Sequence, residues 1–393
     1  MSLPIKKSAV HSLRKGKRSL RTSIIGLGDF LDLSYSVEMI IGGVQVPLQL
    51  DTGSADLWSV GTNCTQYRRL SLNQDVYIQA DRTRFELTYG DAFSHTAVTG
   101  LIVPGPVILT GIKLDTQFFS ATNFTNNSVT FQGLMGILGV GFHVNSGLLQ
   151  TVARREIDPV LTGFGITDFI NSQLATQGPF LSHLIATGRL DQPMITITLQ
   201  RDSVDIGGNV GQLTIGKLPD GVSNNFLTWV PVQRSAIDDA GVIEPSDSPN
   251  EIYPGFWEVM IDDVILIGQV LPKPDTPVPY TALIDTDLQL LPNCTVAAVT
   301  STTPPEKGAG WSWILGDVFL KSNLVAFYYG NLTHPSVDPP RIGFLSTVLI
   351  NVDELYISAI NSAVASGTLK ISSELAPTGT FTAASTKSVG VGF

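Results

Sequence analysis

Residues 47–60 read VPLQLDTGSADLWS, and residues 280–292 read YTALIDTDLQLLP. Each is an apolar run that closes on Asp-Thr, the first at Asp51-Thr52 and the second at Asp285-Thr286. Short runs of this kind, bounded by turn residues, read as strands, so each aspartate is expected on a loop just past a buried strand. Two carboxyl groups brought within hydrogen-bonding distance cannot both ionise, and they share one proton. A water between them can lose a proton to the ionised partner while the protonated partner polarises an amide carbonyl. That chemistry hydrolyses a peptide bond with no metal, no cofactor and no covalent intermediate. A lone Asp-Thr-Gly is a common turn, but the first copy continues through Gly53, Ser54 and Asp-Leu-Trp58, a far more specific pattern.

The surroundings repeat in outline. SYSVEMIIGGVQVPLQL (34–50) reads as two alternating strands around Gly42-Gly43, and FELTYGDAFSHTAVTGLIV (85–103) as a second hairpin with Tyr89-Gly90-Asp91 entering its tip. GLMGILGVGF (133–142) is too glycine-rich for a helix and is expected to be extended and tightly packed. PFLSHLIATGRL (179–190) has apolar residues at helical spacing and predicts one short surface helix ending near Gly188. In the second half GFWEVMIDDVILIG supplies paired strands, YTALIDTDLQLLP the Asp-Thr loop and WSWILGDVF a second Ile-Leu-Gly run. The spacing differs: Asp51 to Gly139 spans 88 positions and Asp285 to Gly316 only 31, which leaves the second copy short by about 57 residues. A β unit so reduced lacks a counterpart of the Tyr89 hairpin and exposes strand edges.

With 393 residues, 43% apolar and 15% charged, the chain is globular and long enough for two packed units. Its 37 glycines and 23 prolines, spread between short Val/Ile/Leu/Thr runs, favour an all-β fold. Seven of the 24 basic residues fall in the first 22 positions, where no acid stands before Asp29, so the net charge of -10 hides a strongly acidic body. The basic arm reads as a pro-segment remnant held on that body until acid protonates the carboxylates, and no nucleic-acid partner is expected. Five Asn-X-Ser/Thr triplets, at Asn63, Asn123, Asn126, Asn293 and Asn331, point to a secreted or cell-wall glycoprotein, although no signal peptide is recognisable. No apolar run of 18 residues predicts a membrane span. His11, His95, His143, His183 and His334 have no metal-ligand spacing and are expected on the surface or in loops.

Taken together, these residues resemble the pepsin-like aspartic endopeptidases of the kind fungi secrete, across roughly residues 33–346. The resemblance implies a two-lobed acid protease fold of duplicated β-barrel lobes, here with an incomplete second lobe. The divisions it suggests are a basic arm at 1–25, a first lobe at 26–200, a shortened second lobe at 201–350 and a Ser/Thr/Gly-rich tail at 351–393. It implies that Asp51 and Asp285 are the catalytic pair and that Thr52 and Thr286 cross-brace their loops, with Gly53 and Ser54 supporting the first aspartate. Tyr89, with Gly90 and Asp91, would form a flap over an extended peptide substrate, and Trp58 would support the tyrosine. Ile137-Leu138-Gly139 and Ile314-Leu315-Gly316 would run beneath the aspartates. It also implies a zymogen that works as a monomer. The second motif departs from the family pattern, since Asp287 and Leu288 stand where a glycine and a hydroxyl residue are usual. A third carboxylate there disfavours ionisation of the pair, and Leu288 offers no hydrogen bond. A glycosylated binding protein on the same scaffold is the reading this departure favours.

Overall fold

The computed structural model describes residues 22–30, 34–62, 64, 83–90, 95–157, 165–199, 211–235, 241–262, 265–266, 269–270, 281–284, 313–348, 350–366 and 373–374. Nine strands open the chain: β1 (Ser23–Gly26), β2 (Gly28–Phe30), β3 (Ser34–Ile41), β4 (Val44–Asp51), β5 (Leu57–Val60), β6 (Arg84–Gly90), β7 (His95–Leu109), β8 (Ile112–Thr125) and β9 (Gly136–Gly139). Helices α1 (Gly147–Glu156), α2 (Ile166–Gln177) and α3 (Phe180–Ala186) follow, then β10 (Met194–Thr198), β11 (Gln212–Ile215), β12 (Thr228–Pro231) and β13 (Glu258–Met260). The remainder comprises β14 (Ile265–Leu266), β15 (Gln269–Val270), β16 (Thr281–Ile284), β17 (Trp313–Leu315), α4 (Asp317–Leu320), β18 (Asn323–Tyr328), β19 (Arg341–Ser346), α5 (Val352–Ser366) and β20 (Ser373–Glu374).

The two-lobed, all-β architecture expected from the sequence is present. In the first lobe, β3 and β4 form a hairpin whose two-residue turn puts Gly42 and Gly43 at φ of 57° and 86°, a geometry that favours glycine and matches the twist of the flanking strands. This hairpin carries Tyr35, Val37, Met39, Val46, Leu48 and Leu50 into the core, all fully buried, and delivers the chain to Asp51. β9 threads between β4, to which it runs parallel, and β5, to which it is antiparallel, within a nine-stranded sheet. A Cβ on Gly139 would stand 2.5 Å from the Ala55 carbonyl carbon, so only glycine allows the strand to pass so close to the loop after Asp51.

The second lobe repeats this register. β16 lies parallel to β17 with Ile284 opposite Leu315, as Leu50 lies opposite Leu138 in the first lobe. Its sheet is smaller: among the described residues β13, β16 and β17 make only three strands. A six-stranded antiparallel sheet in the order β1-β11-β10-β18-β19-β12 draws strands from both halves of the chain. Beside it, Trp257 is fully buried and packs on Phe142, Phe327 and Tyr329, with ring centroids 4.1, 5.0 and 4.9 Å away. Aromatic pairs at such spacing contribute about 0.5–1.5 kcal/mol each beyond their burial.

Several expectations are corrected. Residues 23–25, assigned to the basic arm, form part of β1, because Ser23 to Gly26 ladder onto Ile215 to Gln212. The predicted helix at 179–190 exists as α3 and closes on Gly188 at φ 60°, but it is not a surface helix: Phe180, Leu181 and Leu184 are buried against the core. Helices α1 and α2 were not anticipated, and α5 occupies the start of the segment read as a tail. His143 and His183 are buried rather than superficial, and burial lowers both to a pKa of about 4. Residues 1–21 and 376–393, read as arm and tail, lie outside the described residues.

Candidate active site

Asp51 is the last residue of β4 and is 2% exposed. Its Oδ1 accepts the Gly53 N–H at 2.7 Å, and its Oδ2 accepts a short hydrogen bond from the Ser54 hydroxyl. Its backbone is held as firmly, because Val140 N donates to Asp51 O at 2.7 Å and Gly141 N to Ser54 O at 2.7 Å. The strand beneath the loop therefore fixes the carboxylate through the main chain as well as through its neighbours.

Thr52 is fully buried, and its Oγ1 donates to the carbonyl of Ile284 at 3.0 Å. Ile284 closes β16 and immediately precedes Asp285, so one hydrogen bond ties the residue after the first aspartate to the residue before the second. Asp285 and Thr286 themselves, with Asp287 and Leu288, lie outside the described residues. Val140 is a second bridge: its carbonyl accepts from Trp257 Nε1 at 3.1 Å and from the Tyr329 hydroxyl at 2.5 Å, both contributed by the later half of the chain.

The hairpin expected to cover the site is formed by β6 and β7, with Tyr89 opposite Thr96 and Gly90 opposite His95. Asp91, at its tip, lies outside the described residues. Trp58 Nε1 donates to the Tyr89 hydroxyl at 2.9 Å, and the two rings lie 6.5 Å apart. Burial holds the Tyr89 phenol well above its ordinary pKa, and the charges of Asp51 and Asp56 push it the same way. Tyr89 is thus a neutral hydrogen-bonding group beside Asp51. The structure brings together Asp51, Thr52, Gly53, Ser54, Trp58 and Tyr89 from the residues singled out in the sequence.

Asp56 was passed over in the sequence although it stands inside the first motif. It is 3% exposed, accepts the Ser146 hydroxyl at 2.5 Å on Oδ1 and the Leu148 N–H at 3.3 Å on Oδ2, and so caps the start of α1. The only sequence signal was its place, two residues before a buried Trp, where an unpaired carboxylate is costly. Burial raises its pKa to about 6, against the opposing effect of these hydrogen bonds. Because the folded value lies above the ordinary 3.8, this stabilisation is complete below pH 3.8 and is lost as pH rises through 6. Asp56→Asn should remove that loss, so the variant gains about 3 kcal/mol on the wild type between pH 3.5 and 7. Urea unfolding at the two pH values measures it, and an unchanged difference would contradict the assignment. His143 acts oppositely: its value is lowered from 6.5 to about 4, so its contribution is intact above pH 6.5 and lost towards pH 4.

Ser54 offers a sharper test of the carboxylate clasp. Hydrogen bonds to charged groups are worth about 1.5–3 kcal/mol. Ser54→Ala is therefore expected to loosen the Asp51 carboxylate and to lower turnover by about tenfold or more. Turnover equal to that of the wild type would show that the Ser54 hydroxyl does not hold the carboxylate in place.

Among the described residues no group of three or more His, Cys, Asp or Glu is placed to hold a metal ion, and no helix is long and apolar enough to cross a membrane. Cys64 is buried and forms no disulfide among the described residues.

Comparison with known proteins places this geometry in context. The sequence model of the eukaryotic aspartyl protease family matches residues 34–292, more than half of the chain, and both Asp51 and Asp285 fall inside the match. Rhizopuspepsin-2 of Rhizopus niveus is 25% identical over 237 residues, covering 57% of this chain and 52% of that protein. Rhizopuspepsin-4 of the same organism is 24% identical over 338 residues, 75% of each chain. Penicillopepsin-1 of Penicillium roqueforti is 24% identical over 339 residues, covering 80% of this chain and 78% of its own. The chain thus spans about half the length of the first of these relatives and about three quarters of the other two.

Proposed function

Because the chain belongs to the eukaryotic aspartyl protease family, we propose that it is an acid endopeptidase in which Asp51 and Asp285 share a proton and activate one water. The ionised partner takes a proton from the water, the protonated partner polarises the scissile carbonyl, and the resulting tetrahedral diol collapses as the amine leaves protonated. The observation that carries this reading is the bond from Thr52 Oγ1 to Ile284 O, which joins the residue after Asp51 to the residue that precedes Asp285 in the sequence. The clasp of Gly53 and Ser54 on Asp51 supports its place in the catalytic pair. Thr286 would complete the brace, while Asp287, a third carboxylate, would raise the range over which the pair titrates.

The substrate is an extended peptide bound beneath Tyr89, with Gly90 and Asp91 closing the flap and apolar side chains flanking the scissile bond. The chain works as a monomer outside the cell or in its wall, a setting supported by the exposure of Asn123 and Asn126 in two of the Asn-X-Ser/Thr triplets. The second reading, a binding protein on this scaffold, rests on Asp287, Leu288 and the three-stranded second-lobe sheet. Purified full-length chain is expected to digest unfolded protein at about pH 3–5, the range in which a shared-proton carboxyl pair is half ionised, and to be blocked by pepstatin. A chain with a cooperative unfolding transition that cleaves nothing would overturn the proposal in favour of binding.

A further inference from the structure

Three of the five Asn-X-Ser/Thr triplets fall on described residues, and they share one hydrogen-bonding arrangement. Asn123 Oδ1 accepts the Thr99 hydroxyl at 3.3 Å, and Asn126 Oδ1 accepts the Ala97 N–H at 2.6 Å. Asn331 Oδ1 accepts the Thr333 N–H and hydroxyl, each at 3.1 Å, and the His334 N–H at 3.0 Å. In all three the amide carbonyl turns towards the protein, and Nδ2 has no hydrogen-bond partner among the described residues. Asn127, Asn171 and Asn323, which lie outside such triplets, each place Nδ2 in an internal hydrogen bond. Asn123 and Asn126 are exposed and Asn331 is partly so. A glycosylated asparagine keeps its carbonyl as an acceptor and gives up one Nδ2 hydrogen, so these three can bear a sugar without losing a hydrogen bond.

We infer that Asn123, Asn126 and Asn331 are N-glycosylation sites, an inference that rests on the proposed passage of the chain through the secretory route. In the step itself, Nδ2 attacks the anomeric carbon of an oligosaccharide carried on a lipid pyrophosphate. The C–N bond forms, the C–O bond to phosphate breaks, the lipid pyrophosphate leaves with the electron pair, and the Nδ2 proton passes to a base. Two of the sites adjoin the return strand of the flap hairpin, since Ala97 and Thr99 lie on β7 directly after the tip.

The test is to secrete the full chain from yeast behind an added leader, release N-glycans enzymatically in heavy-oxygen water and map the labelled aspartates. Labelling at all three positions, with one glycan lost from the mass ladder for each of Asn123→Gln, Asn126→Gln and Asn331→Gln, is the expected result. Unlabelled asparagines in secreted, folded protein would overturn the inference. Because the leader is supplied, that outcome is independent of where the chain resides naturally. Proteolysis of unfolded protein, assayed on the same sample, separates failure of the glycan inference from failure of the protease reading.

Discussion

Asp51→Asn is expected to lower hydrolysis of a peptide substrate by roughly 10²–10⁴-fold, the range contributed by a positioned general acid or base. The substitution leaves an oxygen for the Gly53 N–H and preserves side-chain volume, so the unfolding midpoint should hardly move. Activity and stability are thereby separated, and kcat is expected to carry the loss while KM stays close to its original value. Retention of full activity would remove Asp51 from the chemistry and leave the binding reading standing.

Trp257→Ala is expected to cost about 3–5 kcal/mol of stability, the usual range for truncating a large buried aromatic. The indole fills the space among Phe142, Phe327 and Tyr329, and its N–H satisfies the Val140 carbonyl. Val140 N in turn holds the backbone of Asp51. The damage should therefore reach the active site: chemical denaturation is expected to show the stability loss, and the fraction that remains folded should turn over more slowly. Trp257→Phe keeps most of the packing and loses only the donor, while Tyr329 still bonds the Val140 carbonyl, so only about 0.5–1.5 kcal/mol is expected from the lost hydrogen bond. Equal effects of the two changes would refute this account of the junction.

The first motif was legible where its residues act on near neighbours. Gly53 and Ser54 lie within three positions of Asp51, so their bonds to its carboxylate follow from the run itself. The alternation through the Gly42-Gly43 hairpin and the close-packed glycines of β9 follow from period and size in the same way. What escaped the sequence depends on distant partners. Asp56 looks like an ordinary polar residue until Ser146, 90 positions away, meets it at the start of α1. His143 shows no sign of burial in a glycine-rich stretch, because the Tyr253 ring that faces it comes from the other half of the chain. Helix α3 carried its pattern and its glycine stop, but its burial depends on core neighbours that its own pattern does not name. The resemblance implied a brace by Thr52 and Thr286; the bond from Thr52 to Ile284 could not be derived from spacing, since 232 positions separate its ends.

The central claim is that Asp51 and Asp285 act as one unit across the two lobes. The direct test compares turnover in Asp51→Asn, Asp285→Asn and the double variant under identical acid conditions, with folding of each verified by its unfolding transition. Groups that share one proton and one water are grossly non-additive, so each single change is expected to cost nearly as much as both together. An Asp285→Asn variant that retains wild-type turnover, or a double variant whose loss is the product of two independent losses, would contradict the account.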